Sequence, residues 1–198
     1  MKTRSHCAVR ARFLSRLFLA ATGAIACAAL LPLAHAASFE PDGLDVTVGQ
    51  GHSVFVSGAA LHWDALCECQ ALKEHGFTTR LEAQISYWHA QVHPTDNGSL
   101  WDVGVTPMLR WLASCCGAVQ PYVEAGVGVH LLSHTRINND RDLSTAFQFG
   151  ENAGTGIAFG ENHRFELGVY VQHESNASIK EPNPGLTYLG VVLRIALR

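Results

Sequence analysis

Apolar and polar residues alternate with a period of two along most of the chain after residue 36. A period of two places the apolar side chains on one face of a β-strand and the polar side chains on the other. Clusters of Gly, Asn, Asp and Pro interrupt the alternation and predict turns. The pattern therefore predicts eight antiparallel strands, which begin near Leu44, Val54, Arg80, Asp102, Tyr122, Phe147, Phe165 and Leu189.

The polar face of these strands carries charges of both signs, at Asp45, Arg80, Glu82, Asp102, Arg110, Glu124, Glu166 and Arg194. In a soluble barrel such charges face the solvent, whereas in a membrane barrel they fill a polar lumen and the apolar face contacts lipid. The even number of strands and their length favour the membrane barrel. We therefore predict an all-β fold, an eight-stranded antiparallel transmembrane β-barrel of the outer membrane. A secreted lipocalin-like barrel is the alternative.

Residues 1–36 have the features of a secretory signal peptide. They begin with the basic segment Lys2–Arg16, continue with the apolar run Leu17–Leu33 and end with the small-residue cleavage site Ala34–Ala36. A membrane anchor is the alternative, but the apolar run is short for a spanning helix. We therefore predict that the signal peptide is removed and that residues 37–198 form the barrel.

Charge and cysteine content narrow the range of partners. The net charge is −3 and no basic block is present, so nucleic acid is not expected as a partner. The spacing of the cysteines at positions 67, 69, 115 and 116 is not typical of a zinc site. Export leads to an oxidising space, and both cysteine pairs fall in predicted periplasmic turns. A disulfide that joins Cys67 or Cys69 to Cys115 or Cys116 is therefore a hypothesis.

The seventh strand ends with a histidine and a serine that lie two residues apart. His173 and Ser175 share their face with Phe165, Leu167 and Val169, which is the predicted lipid face. The loop that follows this strand is predicted to face outward, because both termini of bacterial barrels usually lie in the periplasm. A histidine beside a serine can accept the hydroxyl proton and activate a nucleophile against an outer-leaflet lipid. The alternative is that His173 and Ser175 are interfacial polar residues with no catalytic role.

Several segments resemble the PagL family of outer-membrane lipid A 3-O-deacylases. The strongest likeness lies in His173–Ala177, Ile179–Lys180 and Pro182–Gly185. Further similar segments occur in the same order as in the family, at Thr106–Trp111, Tyr122–Gly128 and Ala146–Gly150. Together these segments span most of the chain after the predicted signal peptide.

The resemblance implies an enzyme, a serine esterase that hydrolyses the 3-O-linked 3-hydroxyacyl ester of lipid A in lipopolysaccharide. It implies Ser175 as the nucleophile, His173 as the general base and Asn176 as a contributor to the oxyanion hole. It implies an active site that faces the outer leaflet, with no metal and no cofactor. A homodimer stays open, as does the preference for acyl-chain length.

One position departs from the family pattern. The family places an acid just after the Pro-x-Pro-Gly turn to orient the histidine, and this chain has Thr187 there. A threonine hydroxyl can hydrogen-bond to the ring but cannot offset its positive charge. If Phe159 pairs with Phe165, Glu151 falls opposite His173 and is an alternative orienting acid. Glu174 has the wrong strand parity for this role.

The departure leaves three functions open. The first is the lipid A deacylase. The second is a catalytically weak or silent outer-membrane barrel with a structural or lipid-binding role. The third is a soluble periplasmic lipid-binding barrel.

Overall fold

The computed structural model describes residues 39–66, 70–94, 98–113 and 117–198. The predicted signal peptide at residues 1–36 lies outside the described residues. Cys67, Cys69, Cys115 and Cys116 lie outside them as well. The leader and the disulfide therefore stay predictions.

Eight antiparallel strands close into a single barrel within the described residues. They are β1 (Gly43–Gly51), β2 (Val54–Asp64), β3 (Phe77–Ala90), β4 (Ser99–Leu112), β5 (Val119–Leu132), β8 (Phe147–Phe159), β9 (Phe165–Ser175) and β10 (Leu186–Ala196). The spatial order is β1-β10-β9-β8-β5-β4-β3-β2, so β1 and β10 close the sheet. Between β5 and β8 the chain forms a small hairpin of β6 (Arg136–Asn138) and β7 (Arg141–Asp142).

The barrel has its apolar face outside. Along β9, Val169 is 48% exposed, whereas its neighbour Tyr170 is 6% exposed. The same alternation exposes Val46 on β1 and buries Asp45 completely. A soluble barrel would show the opposite distribution, because its apolar side chains would form the core. The predicted transmembrane β-barrel is therefore confirmed, and the lipocalin-like alternative is wrong. Among the described residues, no helix has the length and hydrophobicity to cross a bilayer.

Ion pairs fill the half of the lumen where β1 begins and β10 ends, which we call the terminal end. Arg194 lies 2.7 Å from Glu124 and 3.0 Å from Asp45, measured between side-chain nitrogen and oxygen. Arg110 lies 2.8 Å from Glu166 in the same way. These pairs join strands that are distant in sequence, and each charge has a partner that compensates for its desolvation.

The opposite end of the barrel carries the connections β1–β2, β3–β4, β5–β8 and β9–β10, and we call it the outer end. The hairpin β6–β7 lies at this end and bridges to the β3–β4 connection through Pro94 and Asn138. Ile137 and Leu143 are each 1% exposed and belong to the same apolar cluster as Trp88 and Leu186. The hairpin therefore packs on the outer end of the barrel.

The alternating pattern predicts neither the hairpin β6–β7 nor the short helix α1 (Gln70–Glu74) between β2 and β3. These elements are too short to produce a hydrophobic period of their own. The pattern also places the starts of β3, β4, β5 and β10 later than the structure does, at Arg80, Asp102, Tyr122 and Leu189.

Candidate active site

Strand β9 presents His173 and Ser175 on the outer surface of the barrel. The strand ends at Ser175, so both side chains lie at the outer end. Gln172 and Glu174 alternate with them and are buried in the lumen, where Gln172 Nε2 donates to Glu174 Oε1 over 2.6 Å. His173 and Ser175 are half-buried. Interior hydrogen bonds thus fix the strand while the histidine and the serine face the lipid side.

Thr187 holds the ring of His173 from the neighbouring strand. It lies directly opposite His173 in the β9–β10 register, and its Oγ1 is 2.7 Å from His173 Nδ1. With the ring hydrogen on Nδ1, the imidazole donates to Thr187 and leaves Nε2 as an acceptor. In the described part of the chain, the Ser175 hydroxyl makes no hydrogen bond, either to His173 or to any other group. The hydroxyl is therefore available to the imidazole.

Gly185 packs against the Cε1–Nε2 edge of the His173 ring. A Cβ added at this position would lie 2.6 Å from His173 Cε1, which is closer than van der Waals contact permits. The φ of Gly185 is 58°, in the region that favours glycine. Only glycine satisfies both conditions, so the loop backbone itself forms a wall of the site.

Glu151 lies opposite His173 on the other neighbouring strand. Phe159 pairs with Phe165, as the register hypothesis requires, and this pairing aligns Glu151 with His173. Glu151 is exposed on the outer face. The Nδ1 atom that an orienting acid would contact already bonds to Thr187. The histidine thus lies between two strands, with the Thr187 hydroxyl in contact on one side and the Glu151 position opposite it on the other.

Asn176 shapes the turn that follows the serine. Its side chain is fully buried and its Nδ2 donates to Leu143 O over 3.0 Å and to Lys180 O over 2.8 Å. Both hydrogens of the amide are therefore engaged with the backbone. The next two residues, Ala177 and Ser178, have φ values of 51° and 59°. Within the described residues their backbone N–H groups donate to no other group.

A second polar cluster lies inside the barrel, behind the sheet that carries His173. His130 Nδ1 is 3.1 Å from Asp102 Oδ1 and 3.5 Å from Glu174 Oε1, and all three residues are buried. These ligand atoms lie close enough together to hold a metal ion. A cation there would be separated from the outer face by the sheet.

A model of the family described as Lipid A 3-O-deacylase (PagL) matches residues 57–196, which is well over half of the chain. The chain belongs to this family. The match begins within β2 and includes every later strand of the barrel, and it includes Glu151, His173, Ser175, Asn176 and Thr187.

Two members of the PagL family are similar in sequence. A protein named Lipid A deacylase PagL from Bordetella bronchiseptica is 38% identical over 105 residues. That alignment covers 53% of this chain and 54% of the Bordetella protein, about half of each. A protein of the same name from Pseudomonas aeruginosa is 27% identical over 177 residues, covering 85% of this chain and 98% of that protein.

A solved structure supports the fold independently. A crystal structure of the outer membrane enzyme PagL superposes with a TM-score of 0.66 and covers 78% of this chain and 99% of the other. The sequence identity is 24%, so this likeness establishes the architecture and not the chemistry.

Sequence reasoning missed the contribution of the hairpin β6–β7 to this site. Arg141 and Ser144 donate to the β9–β10 loop, and Leu143 accepts from Asn176. The polar residues 136–142 resemble any solvated loop, and nothing local in them indicates a contact with residues 176–185. Only the closed barrel brings these two connections together.

Proposed function

We propose that this protein is an outer-membrane serine esterase that hydrolyses the 3-O-linked 3-hydroxyacyl ester of lipid A. The observation that carries the proposal is the His173–Ser175 pair on the lipid-facing surface at the outer end of the barrel. Family membership supports the reaction, since the family is described as Lipid A 3-O-deacylase. The names of both relatives support the same substrate class.

The proposed site matches the location of the substrate. Lipid A lies in the outer leaflet, and its ester bonds lie at the boundary between headgroup and acyl chains. Ser175 is the last residue of β9, where the apolar outer face of that strand ends. The acyl chain can lie along the apolar face while the sugar lies near the polar loops. The enzyme therefore needs no closed pocket to bind its substrate.

The reaction proceeds in two acyl-transfer steps. In the first, Ser175 Oγ attacks the ester carbonyl while His173 Nε2 accepts the hydroxyl proton. The tetrahedral intermediate collapses, the sugar oxygen leaves with the proton from His173, and the acyl group stays on Ser175. In the second, His173 removes a proton from water, which attacks the acyl-serine. Collapse returns the proton to Ser175 and releases the 3-hydroxy fatty acid.

The oxyanion of both intermediates needs hydrogen-bond donors. The resemblance assigns this part to Asn176, but both of its amide hydrogens already bond to backbone carbonyls. We propose that Asn176 acts indirectly, by building a turn whose backbone N–H groups at Ala177 and Ser178 are the donors. An Asn176→Ala variant would then lower activity by distorting this turn.

The silent barrel remains the second candidate, and one observation favours it. His173 Nδ1 bonds to the neutral hydroxyl of Thr187, which cannot compensate for an imidazolium charge. Loss of an orienting acid costs up to about 10⁴-fold in a serine triad. We propose that hydrolysis persists at a reduced rate, because the hydroxyl still fixes the tautomer and the ring orientation.

Expression in a bacterium whose lipid A carries the 3-O-acyl chain tests the proposal. Mass spectrometry of the lipid A should show loss of one 3-hydroxyacyl chain with the wild type. Ser175→Ala and His173→Ala should each restore the full mass. Ser53→Ala and His134→Ala are matched controls, since both residues are exposed on other outer connections. An unchanged mass with a folded wild-type barrel in the outer membrane would favour the silent barrel.

Localisation and assembly are tested with the same cells. We propose that the protein resides in the outer membrane, where fractionation should recover a heat-modifiable band. The chemistry requires one chain only. A homodimer stays a prediction, and cross-linking in intact membranes checks it.

A further inference from the structure

Arg141 on β7 joins three outer connections of the barrel. Its Nη1 donates to Gly185 O over 2.8 Å and to Pro184 O over 3.2 Å, both in the β9–β10 loop. Its Nη2 donates to His52 Nδ1 over 2.6 Å, in the β1–β2 turn. One guanidinium therefore holds two loops against the hairpin on which it sits.

The contact with Gly185 leads directly to the histidine of the proposed active site. Gly185 packs so closely on His173 that a single added carbon would overlap the ring. Thr187, which bonds to His173 Nδ1, follows Gly185 by only two residues. A shift of the backbone at Gly185 would therefore move both the wall and the hydrogen-bond partner of the imidazole.

Two more bonds tie the same hairpin region to the same loop. Ser144 Oγ donates to Pro182 O over 2.7 Å, and Asn176 Nδ2 donates to Leu143 O over 3.0 Å. The β9–β10 loop is thus held near its start, at its middle and near its end. Among these contacts, only that of Arg141 reaches the backbone beside His173.

We propose that Arg141 is a positioning residue, which holds the Pro184–Gly185 backbone so that His173 stays aligned with Ser175. The inference rests on the proposed esterase function and adds to it the element that keeps the catalytic pair in register. A displacement of about 1 Å at a reacting group can cost about 10²-fold in rate. The role needs the planar guanidinium, whose Nη1 donates to the carbonyls of Pro184 and Gly185 while Nη2 donates to His52. The compact ammonium of lysine, on a flexible stem, does not reproduce this fixed arrangement of donors.

A different role for Arg141 would be to attract an anionic group of the substrate through its charge. The two roles predict different results with lysine. If Arg141 attracts the substrate by charge, Arg141→Lys should keep most of the activity, and Arg141→Ala should mainly raise KM, by an amount that depends strongly on salt. If Arg141 positions the histidine, Arg141→Lys should be impaired like Arg141→Ala, and both should mainly lower kcat. Arg136→Ala removes a cation from the exposed face of β6 in the same hairpin and is the matched control.

The test uses the full-length protein in outer membranes or detergent, with lipid A hydrolysis as the first readout. Modification of Ser175 by a fluorophosphonate is the second, because it reports the catalytic pair without lipid binding. We expect Arg141→Ala and Arg141→Lys to lower kcat and the modification rate by about tenfold or more, with KM changed by less than about threefold. Arg136→Ala should match the wild type in both assays.

A third readout does not depend on activity. Arg141→Ala should change the ¹⁵N chemical shift of His173 Nδ1, since its bond to Thr187 depends on the backbone that Arg141 holds. If this variant does not form a heat-modifiable barrel, Arg141→Lys and Ser144→Ala carry the test. Ser144→Ala should lower kcat in the same direction but less, by about threefold.

The results that would overturn the inference are distinct from those that would overturn the function. If Arg141→Ala has the same kcat and the same His173 chemical shift as the control Arg136→Ala, then Arg141 does not position the histidine. Arg141→Lys with full activity would show that charge alone matters. A wild type that reacts with the fluorophosphonate no faster than Ser175→Ala would instead contradict the esterase function.

Discussion

Two histidines of this barrel lie on opposite faces of the same sheet, and their Nδ1 atoms face different chemical groups. His130 is 1% exposed inside the lumen, where its Nδ1 faces the carboxylates of Asp102 and Glu174. His173 lies on the outer face, where its Nδ1 faces the hydroxyl of Thr187. The inner histidine therefore has acidic partners at Nδ1 and the buried Thr106 hydroxyl 3.5 Å from Nε2, all within the lumen and away from the lipid face. The outer histidine has the nucleophile without the acid in contact.

The difference shows that the environment of a histidine determines which hydrogen-bond partner costs least in free energy. In the lumen, a carboxylate finds partners on both neighbouring strands, since Asp102 accepts from Gln84 and Ser86 on β3 and faces His130 Nδ1 on β5. On the lipid face a carboxylate has few donors and a low-dielectric neighbour, so a neutral hydroxyl costs less. With Thr187 as the partner, however, no negative charge contacts His173 to compensate for the imidazolium that forms during catalysis. The partner that costs least for stability on the lipid face is therefore not the best partner for catalysis.

Removing the outer histidine should have the largest effect. His173→Ala eliminates the general base, and we expect esterase activity to fall by about 10⁴-fold or more, as in other serine hydrolases. The thermal stability should stay close to that of the wild type, because the ring contributes to no interior packing. Initial rates on lipid A and the heat-modifiability temperature measure the two effects. A residual activity above a tenth of the wild type would contradict the assigned role.

Weakening the pair of Asp102 and His130 in the lumen should have the opposite effect, a loss of stability with little change in activity. Asp102→Asn removes the charge that three strands share, and we expect the free energy of unfolding to fall by about 2 kcal/mol. The rate per folded molecule should stay within about twofold, because Asp102 lies behind the sheet. Denaturant titration in detergent and rates normalised to folded barrel separate the effects. Asn152→Ala, also on the lumen side, controls for loss of a neutral amide.

Giving the outer histidine an acid should make it resemble the inner one. Thr187→Glu places a carboxylate near His173 Nδ1, and we expect kcat to rise by about tenfold through stabilisation of the imidazolium. Thr187→Val removes the hydrogen bond and should lower kcat by about tenfold.

Glu151→Gln sharpens this result, since Glu151 is the other candidate for the orienting role. With Thr187 in contact with the ring, the glutamine variant should change kcat by less than about threefold. A loss larger than that of Thr187→Val would instead identify Glu151 as the orienting acid.

The smallest effect should be a dependence on pH at the outer end. Burial, the Arg141 cation and His173 lower the pKa of His52 below its ordinary value. The unfolded chain therefore takes up this proton first as the pH falls, and the stability that neutral His52 contributes begins to decline near the ordinary pKa of about 6.5. The bond from Arg141 to His52 is lost as the pH falls further, through the lowered pKa of the folded protein. The ratio of wild-type activity to that of His52→Ala should fall modestly, by less than about threefold, between about pH 8 and pH 5. A ratio that rises on acidification would contradict the sign.

The barrel could be predicted from sequence because its signal is local and repeated. Alternation at Val46 and Asp45, or at Val169 and Tyr170, assigns each residue to a face without knowledge of the partner strand. The register of β8 and β9 followed from the tight turn between Phe159 and Phe165, and the structure confirms it.

The site could be predicted only in part. Parity placed His173 and Ser175 on the lipid face, and the structure agrees. Parity could not show that the side chain of Asn176 turns inward to bind Leu143 and Lys180, since that depends on the path of two loops. The contact of Arg141 with Gly185 joins residues 44 positions apart in sequence, and no periodic pattern reports such a pair.

Hydrolysis of lipopolysaccharide by the purified protein in ¹⁸O-labelled water tests the central claim most directly. If Ser175 on the lipid face forms an acyl-enzyme that water resolves, the released 3-hydroxy fatty acid carries one ¹⁸O in its carboxyl group and the sugar hydroxyl carries none. Ser175→Ala should release no labelled acid. A folded wild-type barrel that releases no fatty acid, or one that places the label on the sugar, would contradict the account.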